Sequence, residues 1–155
     1  MRVHAVTVCP DRVDVVVGID ETDIMRTATT PGVAGRALEL LPDLERHLCH
    51  NETGRSFAEE IADTEVPHLF EHVVMELMAQ AGSPRSLKGE TSWDFRRDGK
   101  GVFRVSVEYD DDFVCLGAIK LANRVMGYLL DDGQPPDVAS ETGRLRELRT
   151  RPRAS

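Results

Sequence analysis

PHLFEHVVMELMAQAG, residues 67–82, decides how this 155-residue chain is read. Pro67 suits a first helical turn because no N–H is needed there, and Gly82 is the usual residue just past a helix end. Leu69, Phe70, Val73, Val74, Leu77, Met78 and Ala81 recur at three- and four-residue spacing, with Val66 just before them. That spacing predicts an amphipathic helix with a wide apolar face. Opposite the centre of this face, His68, Glu71 and His72 fall at i, i+3 and i+4 in the order H-x-x-E-H. Two imidazoles one turn apart can hold one Zn²⁺, and a carboxylate beside them can take a proton from an attacking water. The competing reading is a merely solvated polar face. Met75 and Ala79 on the same side argue against full exposure.

The length suits one domain, residues 1–150, followed by a flexible basic tail at 151–155. Hydrophobic and charged fractions of 41 % and 30 % are those of an ordinary globular chain with a real core. A net charge of −8 disfavours nucleic acid as a partner. The longest apolar runs fall short of a membrane span and no secretory leader opens the sequence, so a cytoplasmic protein without a membrane partner is expected. Three cysteines at unrelated spacings argue against a disulfide framework and for a reducing compartment. Cys9 and Cys115 read as small core residues.

Around the central helix, Val3–Cys9 and Val13–Ile19 read as a first hairpin about Pro10-Asp11, and Thr91–Phe95 with Val102–Tyr109 as a second. Helical spacing covers Pro31–Leu41, a short segment after Ser56, and Phe113–Leu130. The run Asp110-Asp111-Asp112 suits the start of that last helix. A final short helix spans Asp137–Arg149. The pattern predicts an α+β layer structure, an antiparallel sheet of two β-hairpins with helices packed on one face. The exposed edges of so small a sheet leave room for a homo-oligomer. His47, Cys49 and His50 form an H-x-C-H cluster. On a continued helix, residues 47 and 50 share a face that Cys49 does not, so the cluster reads as structural.

The segments PGVAGRALELLPDLERHLC (31–49), HLFEHVVMELMAQAG (68–82), GET (89–91) and VFRVSVEY (102–109) together resemble the N-terminal domain of cyanophycin synthetase. That domain carries similar PG…LLP…H.C, HVVEHVALELQ.LAG, RET and FEY stretches. The resemblance implies a stand-alone version of a domain associated with gripping an Asp–Arg polymer and with a metallopeptidase-like site. It does not extend to the family's ATP-grasp and Mur-ligase-like domains, and no glycine-rich nucleotide loop occurs. The H-x-x-E-H helix is also similar to those of pitrilysin-like metallopeptidases and S-ribosylhomocysteine lyase. There a third ligand lies further along the chain, a Glu in the peptidases and a Cys in the lyase.

The matching position is Glu141, with Glu108, Glu90 and Cys115 as rivals. The resemblance thus implies a zinc-dependent hydrolase of a peptide or amide bond, acting on a peptide-like or small-molecule substrate. His68, His72 and Glu141 would hold Zn²⁺ or another divalent metal, and Glu71 would serve as the base. Arg85, Arg96 or Arg97 is available for a substrate carboxylate. The alternative is a non-catalytic binding module for an Asp/Arg-containing polymer or a partner ligase.

Overall fold

The computed structural model describes residues 1–20, 24–49, 55–131 and 133–152. The chain runs β1 (Arg2–Val8), β2 (Arg12–Gly18), α1 (Val33–Leu40), a 3₁₀ turn (Pro42–Arg46), α2 (Phe57–Glu60) and α3 (Val66–Gln80). It continues with β3 (Gly89–Ser92), α4 (Phe95–Asp98), β4 (Val102–Glu108), α5 (Asp112–Asp131) and α6 (Val138–Thr150). The strands form one antiparallel sheet in the order β1-β2-β4-β3, so the two hairpins join through β2 and β4.

Alternation fixes which face is covered. Val13, Val15 and Val17 of β2 lie opposite Val107, Val105 and Phe103 of β4, and all six are buried against the helices. Intervening residues such as Asp14 and Ser106 form the polar face, where Ser106 Oγ donates to Asp14 at 2.8 Å. The α+β architecture with helices on one face is the one that the sequence pattern predicts. One strand moves. β3 spans Gly89–Ser92 rather than Thr91–Phe95, ending early because Asp94 leaves the sheet to cap α4, accepting from the N–H groups of Arg96 and Arg97.

Helix α3 lies at the centre, packed on β3 and β4 on one side and on α5 and α6 elsewhere. Pro67 stands in its first turn, and the chain leaves it through Gly82 at φ +101°. The expected apolar face is buried, but so are Glu71, His72 and Glu76. A helix amphipathic in sequence is therefore enclosed on nearly every side. The second long helix, α5, starts where the Asp run predicts, with Asp111 Oδ1 accepting from the Val114 N–H at 3.1 Å. It is long and apolar enough to cross a membrane by composition, yet nine of its residues are buried in the core against α3 and its neighbours.

Helix α6 is tied down by the basic residues of the C-terminal segment. Arg146 donates to the Gln80 carbonyl, while Arg149 donates to Asp110 at 2.7 Å and to Ser83 at 3.2 Å. Burial pushes the Asp110 carboxyl up, but the hydrogen bonds from Arg149 and Ser83 outweigh it and hold the group below its ordinary value. Such a group adds stability above the unfolded-state pKa, and that stability is lost as pH falls through the lower folded value. Asp110→Asn should therefore cost about 1 kcal/mol at neutral pH. The gap between variant and wild type, read from urea midpoints, should close below about pH 4.

Candidate metal centre

The first turns of α3 carry the expected imidazoles, and the structure brings them together. His68 Nε2 and His72 Nε2 are 3.2 Å apart. The third donor beside them is Cys49, whose Sγ is 3.7 Å from His72 Nε2. One ligand atom from each of the three residues lies within 4.8 Å of the others, the only such donor group among the described residues.

Cys49 arrives by a backbone path unlike the continued helix on which the sequence places it. The 3₁₀ turn ends at Arg46, and His47 is extended at φ −67° and ψ 142°. From there the segment forms a bridge between Leu48 and Ser56. In extended chain, alternate residues share a side. Leu48 accordingly points outward, 66 % exposed, while His47 and Cys49 turn in towards α3. His47 and Cys49 of the H-x-C-H cluster, read from the sequence as structural, thus face the candidate site, while His50 lies outside the described residues.

Glu141 is not among these donors. It stands on α6 and pairs with Arg124 of α5 at 3.6 Å and with Arg144 at 3.3 Å. Its rivals are elsewhere too. Cys115 is buried in α5, and Glu108 accepts from the Lys88 N–H on the exposed face of β4. Glu90 lines the cleft beside His68 without joining the donor group. Of the three arginines suggested for substrate, Arg85 is engaged with Glu76 and Arg97 with Asp98.

Glu71 sits against β3 in a recess shaped by the GET segment. Thr91 Oγ1 donates to Glu71 Oε2 at 2.6 Å. A Cβ at Gly89 would come within 2.7 Å of Glu71 Oε1, so only glycine lets the carboxylate lie there. Oε1 is 3.9 Å from His72 Nε2. Burial raises the Glu71 carboxyl to about 7, partly offset by the bond from Thr91. Phe57 stacks on the His72 ring, centroids 3.9 Å apart, and meets His68 edge-on.

Burial lowers the His68 pKa more than Glu60 and Glu65 raise it. Its Nδ1 lies 2.9 Å from Thr64 Oγ1. Burial also pushes the Cys49 thiol up to about 12, with a hydrogen bond to Glu60 adding to the effect. On the far side of His72, His47 Nδ1 is 3.0 Å from His72 Nδ1, and His47 Nε2 is 2.8 Å from Glu76 Oε2. Glu76 is wholly buried. Burial alone would raise its pKa, but donors on His47, Arg85 and Gln80 hold it at about 2.

Two clefts of about 530 and 640 Å³ flank the centre, and both are lined by Glu71 and Gly89. One reaches His47, His72 and Arg85, and the other Cys49, His68 and Trp93. A helix-borne His pair, a thiol and a recessed acid between two clefts define an α+β domain built around a candidate metal centre. The chain belongs to the Cyanophycin synthase-like N-terminal domain family, whose pattern it matches over residues 14–131. Among curated proteins, no relative matches the chain.

Gly89→Ala should displace the Glu71 side chain while the sheet persists. The carboxyl should then titrate closer to its ordinary range, measured by ¹³C NMR of the side-chain carboxyl, with an unchanged circular dichroism spectrum.

Proposed function

We propose that this domain is a zinc-dependent hydrolase of a peptide or amide bond, with Cys49, His68 and His72 as the metal ligands and Glu71 as the proton shuttle. The spacing of the donors carries this reading. Tetrahedral zinc, with Zn–N of about 2.0–2.1 Å and Zn–S of about 2.3 Å, has N–N edges of about 3.3 Å and N–S edges of about 3.6 Å. Two of the three edges here, those at His72 Nε2, are 3.2 and 3.7 Å, and the third, between Cys49 and His68, lies within 4.8 Å. Three protein donors among the described residues leave a fourth position for substrate or water, as in catalytic zinc sites.

A bound zinc ion supplies Lewis-acid polarisation of a carbonyl and makes water a better nucleophile. The chain's own groups do the rest. Glu71 accepts the proton of the attacking water and returns it to the leaving amine. Thr91 fixes one oxygen of that carboxylate, leaving the other towards His72. Phe57 and the fold of residues 47–49 over α3 keep the imidazoles aligned and dry. The Cys49 thiol gives up its proton on ligation, so metal uptake is coupled to proton release.

The second cleft favours a cationic group on the substrate. It is lined by six carboxylates, of Glu59, Glu60, Asp63, Glu65, Glu71 and Glu90, against Arg26 and Arg55. Arg26 is already paired with Asp63 and Glu65. That charge also suits the second reading, a non-catalytic module that binds an Asp/Arg-containing polymer or a partner ligase.

Metal content and amide hydrolysis, measured on the same purified protein, separate the two. Wild type should retain zinc and turn over an Asp/Arg-containing peptide. Glu71→Gln should lose about 10²–10⁴-fold in rate with metal retained. Cys49→Ser should weaken metal binding and abolish the thiolate-to-metal absorption of the cobalt-substituted protein, whereas Glu141→Ala should do neither. A wild type that binds the peptide without cleaving it would establish the module instead.

A further inference from the structure

We infer that Glu76 and His47 act as positioning residues that lock His72 in its Nδ1–H tautomer, so that the Nε2 lone pair is presented to the metal. The inference rests on the metal centre proposed above. It follows from which atoms can donate. Glu76 receives Arg85 Nη1 on Oε2 at 2.8 Å, and Arg85 Nη2 and Gln80 Nε2 on Oε1 at 3.3 and 3.2 Å. A carboxylate gripped by a guanidinium is an acceptor only. The ring nitrogen that faces it, His47 Nε2 at 2.8 Å, must therefore carry a hydrogen.

A neutral His47 with Nε2–H has a lone pair on Nδ1. That lone pair faces His72 Nδ1 at 3.0 Å, so the hydrogen between them belongs to His72. His72 then holds no hydrogen on Nε2, the atom facing both His68 Nε2 and Cys49 Sγ. The opposite tautomer of His72 would set two lone pairs against each other. A doubly protonated His47 would reverse the order, and tautomer spectra distinguish the two arrangements. The result is a carboxylate–histidine–histidine chain, one link longer than the usual carboxylate support of a metal-bound imidazole.

Geometry also explains why α3 carries Glu76 at a wholly buried position, one turn past His72 and facing the segment that supplies Cys49. The same carboxylate that anchors His47 anchors the strand-like path from which Cys49 reaches the centre.

The test uses the full chain with ¹⁵N-labelled histidine at neutral pH. Two-bond ¹H–¹⁵N correlation spectra of the metal-free protein should show His72 as the Nδ1–H tautomer. His47→Leu should move it to Nε2–H or a mixture and lower Zn²⁺ affinity about 10–100-fold in chelator competition. His47→Asn, whose Oδ1 stands where Nδ1 did, should restore both readings, which a merely space-filling His47 would not require. His72 found as Nε2–H in wild type, or an unchanged tautomer and affinity in His47→Leu, would overturn the proposal. Absence of Zn²⁺ binding in wild type with His72 still Nδ1–H would instead remove the metal reading and leave the tautomer lock standing.

Discussion

A helix with almost no wet side must satisfy its own polar groups, and α3 is such a helix. Glu76 is its extreme case, a carboxylate with no exposed surface. An unpaired charge there would cost several kcal/mol, so the fold has to deliver donors to it. Three arrive: Gln80 from the next turn, Arg85 from the loop after the helix, and His47 from the segment before α2. Recruiting His47 draws residues 47–49 flat across α3. Cys49 then sits beside His72 as a geometric consequence, because alternate residues of an extended chain face the same way.

The sheet makes the complementary contribution. β3 pairs with β4 in the register Gly89↔Val107 and Thr91↔Val105, which presents Gly89 and Thr91 towards α3. One supplies room and the other a hydrogen-bond donor, and Glu71 lies between the strand and the imidazoles. The chemistry is thus assembled from three elements around a rigid helix, with the first two turns of α3 placing both rings.

The sequence made the scaffold legible and only half of the centre. Periodicity located α3, α5 and the strands β2 and β4, because those patterns are set by local burial, whereas the pairing of β2 with β4 is seen only in the structure. H-x-x-E-H located two of the candidate donors and the Glu71 beside them, since a helix carries i, i+3 and i+4 to one side whatever surrounds it. The third donor was a different problem. Placing it at Glu141 relied on position along the chain in other families, while α6 spends that carboxylate on Arg124 and Arg144. Cys49 was visible in H-x-C-H but was read on a helical period. The 3₁₀ turn stops at Arg46, and from His47 the period is two. Nothing local marks that change; it is imposed by the tertiary demand of Glu76, on the far side of a sequence gap of 29 residues.

Two glutamates on one helix show how the same side chain is given different work. Glu76 and Glu71 are both buried, yet Glu76 is held at about 2 while Glu71 is raised to about 7. The difference lies in their neighbours. Glu76 meets a guanidinium and an imidazole N–H, so it stays ionised and serves as an anchor. Glu71 meets one hydroxyl and the field of Glu90 and Glu60, so its proton is held near neutrality. A group poised there can both accept and release a proton, whereas one fixed at about 2 can do neither at working pH. An anchored acid behind the imidazoles and a second, recessed acid in front of them are the two carboxyl groups that the proposed hydrolysis would require.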